Sequence, residues 1–319
     1  MAINGHFILR VMNLKASDAV STRLGPFQLH LRERGLSVAT VRAYLHDLKL
    51  FERWLSQIAS PPVPLKKLGA ADLGAYRSVL VKDGSLKPST VNRRINALRA
   101  FFGWLQKGKV RMDNPSLKVR FVRRPTRRRP ESLKRVEVLA LVRAAADSPK
   151  GLSERNCALL QLMLQTGMRV GEVLALKWKD LTVRARSGSA RIRAGQGTRE
   201  LPLNATVRAA LNSHQQTVPS ASVEAYVFQS KPDSPLSVRA AQDIIASIAK
   251  RAKVTRIPVS TQSIRHTFAT NFLQSNPGKL VDLSVLLGHE SVNTTAVYLR
   301  ASEDLALGVE GSGLNVFGE

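Results

Sequence analysis

Only one cysteine occurs in the 319 residues, Cys157 within "RNCALLQLML". No internal disulfide or cysteine-based metal site can be built from it, and it reads as a small buried apolar residue. Long uncharged apolar runs are missing too; nothing approaches the roughly 20 residues that span a bilayer. The opening "MAINGHFILRVMNLK" has an apolar patch broken by Arg10, without a signal-peptide core and cleavage site. Acidic residues are scarce, 23 Asp and Glu against 49 Lys and Arg, which leaves a net charge of +26. A chain so charged repels itself when compact, and an anionic partner such as nucleic acid offsets that. These absences exclude a membrane protein and a disulfide scaffold, and point to a cytoplasmic protein that binds nucleic acid.

What is present reads as helix in the first half. In "LSVATVRAYLHDLKLFERWLSQI", Val41, Tyr44, Leu48, Phe51 and Leu55 recur every three or four residues, with Ser37 placed to cap the start. "STVNRRINALRAFFGWLQKG" repeats the pattern with Val91, Ile95, Leu98, Phe102 and Leu105. A shorter helix lies between them in "AADLGAYRSVLVKDG", and one upstream around Val20–Glu33 completes four. At this spacing Phe51, Trp54, Phe101, Phe102 and Trp104 read as core rather than as base-stacking platforms. Arg42, Lys49, Arg93, Arg94 and Arg99, on the polar faces, are the candidates for phosphate contact.

"LKVRFVRRPTRRRPESLKR" follows, carrying Arg123, Arg124, Arg127, Arg128 and Arg129 against one acid, Glu131. Pro125 and Pro130 discourage helix, so this is an extended linker that also lies along a phosphate backbone, where counterion release rewards such clusters. Helical periods resume in "LKRVEVLALVRAAADS" and "SERNCALLQLMLQTGMRVGEVLALKW". "ARIRAGQGTRELPL" alternates about a Gly-containing tip, as a β-hairpin does. Helices return in "NATVRAALNSHQ", "SVRAAQDIIASIAKRA", "TQSIRHTFATNFLQ" and "LLGHESVNTTAVYL". The final "EGSGLNVFGE" has little periodicity and reads as a mobile tail.

Three stretches carry side chains suited to one chemistry: "QTGMRVGEVLAL" with Arg169, "TQSIRHTFAT" with Arg265, and "LLGHESVNTTAVYLR" with His289 and Tyr298. A phosphodiester gathers negative charge on its nonbridging oxygens as a nucleophile adds, and two arginines can hold those oxygens through forked hydrogen bonds. A tyrosine hydroxyl can attack phosphorus and conserve the bond energy as an ester. Its ordinary pKa of about 10 makes it a weak nucleophile at neutral pH, so the cations and a base or water must help. A histidine can donate to a phosphate oxygen or relay a proton.

With these motifs in this order, the chain resembles the tyrosine recombinases, the family of phage integrases and Xer-type recombinases, from about Leu24 to Arg300. "GLSVATVRAYLHDLKLFERWL" and "STVNRRINALRAFFGWL" resemble its helical core-binding domain; "TGMRVGEVLAL", "IRHTFAT" and "LLGHESVNTTAVY" match its catalytic motifs. The resemblance implies Arg169 and Arg265 as the arginine pair, His289 as the histidine, Tyr298 as nucleophile, and Glu172 as the group orienting Arg169. His266 points roughly 100° from Arg265 on an ideal helix and reads as structural.

The implied fold is mainly α with a small sheet or hairpin, in two domains forming a clamp on duplex DNA. Residues 1–19 are an extension, 20–117 the helical DNA-binding domain, 118–132 the basic linker, 133–300 the catalytic domain, and 301–319 a tail that docks on a neighbouring protomer. The resemblance further implies a homotetramer on paired recombination sites, a 3′-phosphotyrosyl intermediate, no cofactor and no metal. About 20 residues before the first domain are too few for an arm-binding domain, which favours a Xer-type or transposon-resolution enzyme. Integration or excision of a mobile element, with or without an accessory DNA-binding protein, stays open.

Two departures stand out. Where the family commonly has a histidine or lysine three residues before the second arginine, this chain has Gln262. Where the hairpin tip usually carries Gly-Lys-Gly, it has Gly195-Gln196-Gly197, in a segment about two residues shorter. Arg199 is nearby, but a guanidinium is a poor general acid. The gap is worth roughly 10²–10⁴-fold in proton transfer. A lysine from elsewhere, a water, or slow cleavage with a partner's help are the open routes. Two rival readings use the same residues: a catalytically weak or inactive DNA-binding accessory protein, and a type IB topoisomerase-like relaxer.

Overall fold

The computed structural model describes residues 19–58, 63–123, 131–149, 151–194, 197–218, 222–232, 234–289 and 291–299. The chain divides into two compact units, at Arg127/Arg128. Over the described residues it is mostly helical, with one three-stranded antiparallel sheet and one two-stranded ribbon. Among the described residues no helix is long and apolar enough to cross a membrane.

Among its described residues the first unit has four α-helices: α1 (Val20–Glu33), α2 (Val38–Ile58), α3 (Ala70–Lys82) and α4 (Pro88–Lys107). Ser37 Oγ accepts from the Thr40 amide at 3.2 Å, the cap expected for α2. Their apolar stripes meet in one cluster around Phe27, Leu48, Phe51, Phe101, Phe102 and Leu105. Each such side chain contributes ~1.5–3 kcal/mol on full burial. The aromatic residues pack edge-on within it, Phe27 against Phe101 at 5.2 Å and Phe51 against Tyr76 at 5.0 Å between ring centres. Phe101, Phe102 and Trp104 are therefore core.

The polar faces differ from expectation. Arg42 and Lys49 are exposed. Arg93 and Arg94 instead turn inward onto Asp47, a buried carboxylate: Arg93 Nη1 lies 2.5 Å from Oδ2 and Arg94 Nε 3.8 Å from Oδ1. Arg99 donates to the Val119 carbonyl at 2.9 Å and sits 4.0 Å over the Phe121 ring. A buried carboxylate needs its cations, so Arg93 and Arg94 are engaged by Asp47 within the unit, and Arg99 by Val119 and Phe121; of these the Arg93 side chain keeps 39% exposure.

The linker expected over 118–132 also starts later. Lys118 ends a short 3-10 helix, Pro115–Lys118. Beyond it the Asn92 side chain clasps Val122 both ways, donating to its carbonyl at 2.9 Å and accepting from its amide at 2.8 Å. Arg77 holds the Arg120 carbonyl at 2.7 Å. Residues 119–123 thus belong to the first unit, with Arg123 exposed at their end. Arg124, Arg127, Arg128 and Arg129, the extension before Ala19, and the tail 301–319 lie outside the described residues.

The second unit runs α5 (Arg135–Ala146), α6 (Ser153–Thr166) and α7 (Val170–Ala175), then strands β1 (Leu181–Val183), β2 (Gly188–Ala194) and β3 (Gly197–Pro202). Helix α8 (Ala205–Thr217), the ribbon β4 (Gln229–Lys231) and β5 (Ser234–Pro235), then α9 (Val238–Arg251), α10 (Thr261–Ser275), α11 (Leu280–Leu287) and α12 (Val292–Thr295) complete it. The expected hairpin is β2–β3, in register from Ser189↔Pro202 to Ala194↔Gly197, and β1 extends it to three strands. Leu159, Leu162, Met163, Val173, Leu211 and Ile245 are among the side chains of its main core.

Two stretches that keep a helical period in sequence are broken in the structure. At Gly167 the chain turns left-handed (φ 62°), ending α6. A side chain there would put Cβ 2.2 Å from the Phe268 ring, so only glycine fits. At Gly288 (φ 62°) α11 ends in the same way, and His289 falls in the gap before α12. Each break frees backbone carbonyls and redirects a side chain.

Candidate active site

The end of α11 organises the site. The last carbonyls of a helix lack intrahelical donors and carry the negative end of its dipole, so they attract cations. Three arginines take them up. Arg199 Nε donates to Leu286 O at 3.1 Å, and Arg265 Nη2 donates to Leu287 O at 2.8 Å. Arg169 reaches Leu287 O at 3.4 Å and Gly288 O at 3.2 Å.

Arg169 stands at the turn between α6 and α7, and Glu172 fixes it from the first turn of α7. The carboxylate accepts from the Arg169 amide at 2.7 Å and from its Nη1 at 3.1 Å. The same carboxylate accepts two bonds from Arg199, at 3.0 and 2.9 Å. Burial pushes the Glu172 carboxyl up, but the bonds from Arg199 and the Arg169 backbone, with both positive charges, outweigh it. The net result is a carboxyl held below its usual range.

Arg265 lies on the inner face of α10, 4% exposed. Its Nη1 donates to Gly167 O at 2.7 Å, which ties it to the α6–α7 turn. Burial, with the charge of Arg169, lowers its pKa to about 10, so it remains a cation at neutral pH. Its Nη2 also lies 2.9 Å from His289 Nε2. A guanidinium can only donate, so Nε2 is the acceptor and Nδ1 carries the ring proton. That proton points to Thr295 Oγ1 at 2.8 Å. Burial, then Arg265, Arg169 and Arg199, lowers the pKa of His289 to about 4. The imidazole is neutral in the physiological range.

Arg169, Arg265, His289 and Glu172 are thus brought together, with Arg199 bound beside them. Tyr298 differs. Its ring packs in a cluster with Phe268, Phe272, Leu283 and Leu287, 3% exposed. Its hydroxyl lies 2.8 Å from His266 Nδ1. His266, which its place on the helix presented as structural, therefore contacts the phenol directly. Gln262, one turn earlier on α10, is exposed, and its Nε2 lies 3.4 Å from His266 Nε2. Gln196 falls outside the described residues.

Sequence reasoning missed His266, Thr295 and the Leu286–Gly288 carbonyls. The only sequence signal for the carbonyls was Gly288 at a left-handed turn site; for Thr295 there was none.

Geometry of this kind serves a phosphodiester: two guanidiniums, Arg169 and Arg265, held at the end of α11, a neutral imidazole bonded to one of them, and a phenol bonded to His266, the residue after Arg265 on α10. Residues 131–304 match the model of the phage integrase family, and residues 25–109 match that of the phage integrase N-terminal SAM-like domain. The tyrosine recombinase XerC of Xanthomonas campestris pv. campestris (strain B100) is 32% identical over 284 residues, 88% of this chain and 85% of the relative. That of Erythrobacter litoralis (strain HTCC2594) is 32% identical over 297 residues, 89% of this chain and 88% of its own. Among solved structures, the XerH site-specific recombinase in its post-cleavage complex with palindromic difH substrate superposes with a TM-score of 0.72 at 20% identity, covering 96% of this chain and 88% of the other. A lambda integrase dimer bound to a COC′ core site gives 0.68 at 18% identity, covering 97% and 84%. The chain belongs to the phage integrase family, the tyrosine recombinases.

Proposed function

We propose that this chain cuts and rejoins duplex DNA at specific sites, with Tyr298 as the nucleophile. Its oxygen bonds to the scissile phosphorus, the bond from phosphorus to the 5′ oxygen breaks, and a 3′-phosphotyrosyl ester results. A 5′ hydroxyl from the partner duplex then reverses the step. Arg169 and Arg265 hold the nonbridging oxygens and offset the charge that grows on them. His289, held through Nδ1 by Thr295, takes up a proton when DNA enters and donates from Nε2 to a phosphate oxygen; Glu172 keeps Arg169 in place. The ester conserves the energy of the broken bond, so no nucleotide is consumed. Family membership and the gathering of Arg169, Arg265 and His289 at the end of α11 support this reading.

By the same reading the helical unit binds DNA through exposed cations such as Arg42 and Lys49, with the 123–129 arginines following the backbone. Four protomers act on two paired sites in the cytoplasm, the tail 301–319 joining neighbours. The element served is of the Xer or transposon-resolution kind, with integration and an accessory DNA-binding protein as further possibilities. No lysine at the Gln196 tip means that the departing 5′ oxygen takes its proton from another donor.

Binding duplexes are first selected from a randomised library. A nicked copy of the winning duplex then traps the covalent adduct. The reading expects an adduct with the wild-type chain and none with Tyr298→Phe. An adduct that persists in that variant would reassign the nucleophile. Tight binding with no adduct at all would leave the inactive accessory protein.

A further inference from the structure

Gln262 and His266, one turn apart on α10, form a line of contacts with Tyr298. The Tyr298 hydroxyl meets His266 Nδ1 at 2.8 Å, the two rings are 5.5 Å apart between centres, and His266 Nε2 faces the Gln262 amide at 3.4 Å. The line runs from a buried phenol to an exposed amide. It gives the phenolic proton a way out.

We infer that His266 is the base that takes the proton from Tyr298 and that Gln262 orients its ring. The inference rests on Tyr298 being the nucleophile. A phenol with an ordinary pKa near 10 is almost wholly protonated at neutral pH, so attack needs a proton acceptor. His289 is poorly placed for it: Nε2 is taken up by Arg265, Nδ1 is turned to Thr295, and three guanidiniums oppose a further positive charge. Glu172 is bound to Arg169 and Arg199. Gln262 has no basic nitrogen. His266 has one, within hydrogen-bond distance of the reacting oxygen.

The step balances. As the Tyr298 oxygen bonds to phosphorus, its O–H electron pair stays on oxygen and the proton moves to His266 Nδ1. The bond from phosphorus to the 5′ oxygen breaks, and that oxygen takes a proton from water. With Nδ1 as the base, Nε2 carries a proton before and after the step, so the Gln262 amide is turned with its oxygen toward Nε2–H and steadies the ring in both states. The imidazolium then returns its proton to solvent. Arg265 on α10 interacts electrostatically with Tyr298, and in turn with Arg169, Glu172 and Arg199. Arg265 and the Tyr298 phenol feel each other's charge, which favours the phenolate that attack requires.

The experiment measures single-turnover adduct formation on the nicked, library-selected duplex across a pH series, for the wild type, His266→Asn and Tyr298→Phe. Asparagine places an amide near Nδ1 and keeps a hydrogen bond without basicity. The expected result is a rate about 10²-fold lower at neutral pH with duplex affinity unchanged. The deficit should close as the pH rises toward the phenol's range, where hydroxide substitutes for the imidazole. In parallel, 13C-labelled tyrosine is followed by NMR in the DNA-free protein, the Tyr298 signal being the one lost in Tyr298→Phe. It should step with the titration of an imidazole in the wild type and lose that step in His266→Asn. A His266→Asn chain that forms adduct at the wild-type rate, or faster, overturns the assignment while leaving Tyr298 as nucleophile. So does a slow variant whose deficit is the same at every pH. A wild type that binds but never forms adduct, or an adduct in Tyr298→Phe, overturns the nucleophile and this base together.

Discussion

Arg199 grips Glu172 with both terminal nitrogens, 3.0 Å from one carboxylate oxygen and 2.9 Å from the other. The carboxylate is only 10% exposed, and it holds Arg169 through backbone and side chain at once. One acid therefore fixes two guanidiniums. Replacing it by glutamine removes the charge and leaves two cations facing each other. Glu172→Gln should cost about 1–3 kcal/mol of stability, read by urea unfolding, and lower adduct formation by about 10–100-fold. Equal stability and equal rate would show that the carboxylate does not set Arg169.

Gly167→Ala tests the turn that delivers Arg169. Alanine must adopt a left-handed backbone there and meet the Phe268 ring at 2.2 Å. The strain is about 1 kcal/mol and the overpacking about 1–3 kcal/mol, so a loss of about 2–4 kcal/mol is expected. Thermal unfolding gives the number. Phe268→Ala in the same chain should relieve part of the clash, although it opens a cavity of its own.

His289 gives a pH signature. Its pKa is lowered from 6.5 to about 4, first by burial and then by the surrounding arginines. The unfolded chain takes up a proton below about 6.5 that the folded chain refuses until about 4. The stability contributed by the neutral ring is thus complete above 6.5, falls as the pH drops through that window, and levels off below it. Imidazole NMR should place the midpoint of His289 near 4 in the free protein and higher once a duplex is bound, because a phosphate nearby favours the cation. A midpoint at the ordinary value in the free chain would mean that the arginines are not gathered around it.

The two kinds of helical cation should separate cleanly. Arg42→Ala and Lys49→Ala should leave unfolding unchanged and weaken duplex binding, each flattening the salt dependence by about one unit of slope. Arg94→Ala should instead destabilise the first unit, because it leaves buried Asp47 short of a partner. If Arg94→Ala alters only the salt slope, its side chain belongs to the DNA contact.

Helices α1 to α4 and α8 to α10 were legible in sequence because their apolar residues keep a helical period, and Ser37, Asn204, Ser237 and Ser260 cap α2, α8, α9 and α10. The breaks at Gly167 and Gly288 were hidden, since apolar residues continue in phase on both sides of each glycine. Strands β1, β4 and β5 have two or three residues, too few to alternate visibly. Arg93 looked like a surface cation because its partner Asp47 lies 46 residues away, on another helix. Arg169, Arg265 and His289 were legible from their motifs, and the structure brings them together. The partner of Tyr298 was not, since nothing local links it to His266, 32 residues earlier.

The shared anchorage of Arg169, Arg199 and Arg265 on the last carbonyls of α11 makes that helix a single lever. Were α11 to swing by a fraction of a turn, all three side chains would lose their seat in one movement. What would still restrain them is Glu172, for Arg169 and Arg199, and the Gly167 carbonyl, for Arg265. Any signal reaching that one rod would act on phosphate capture and, through Leu283 and Leu287, on the packing of the phenol as well.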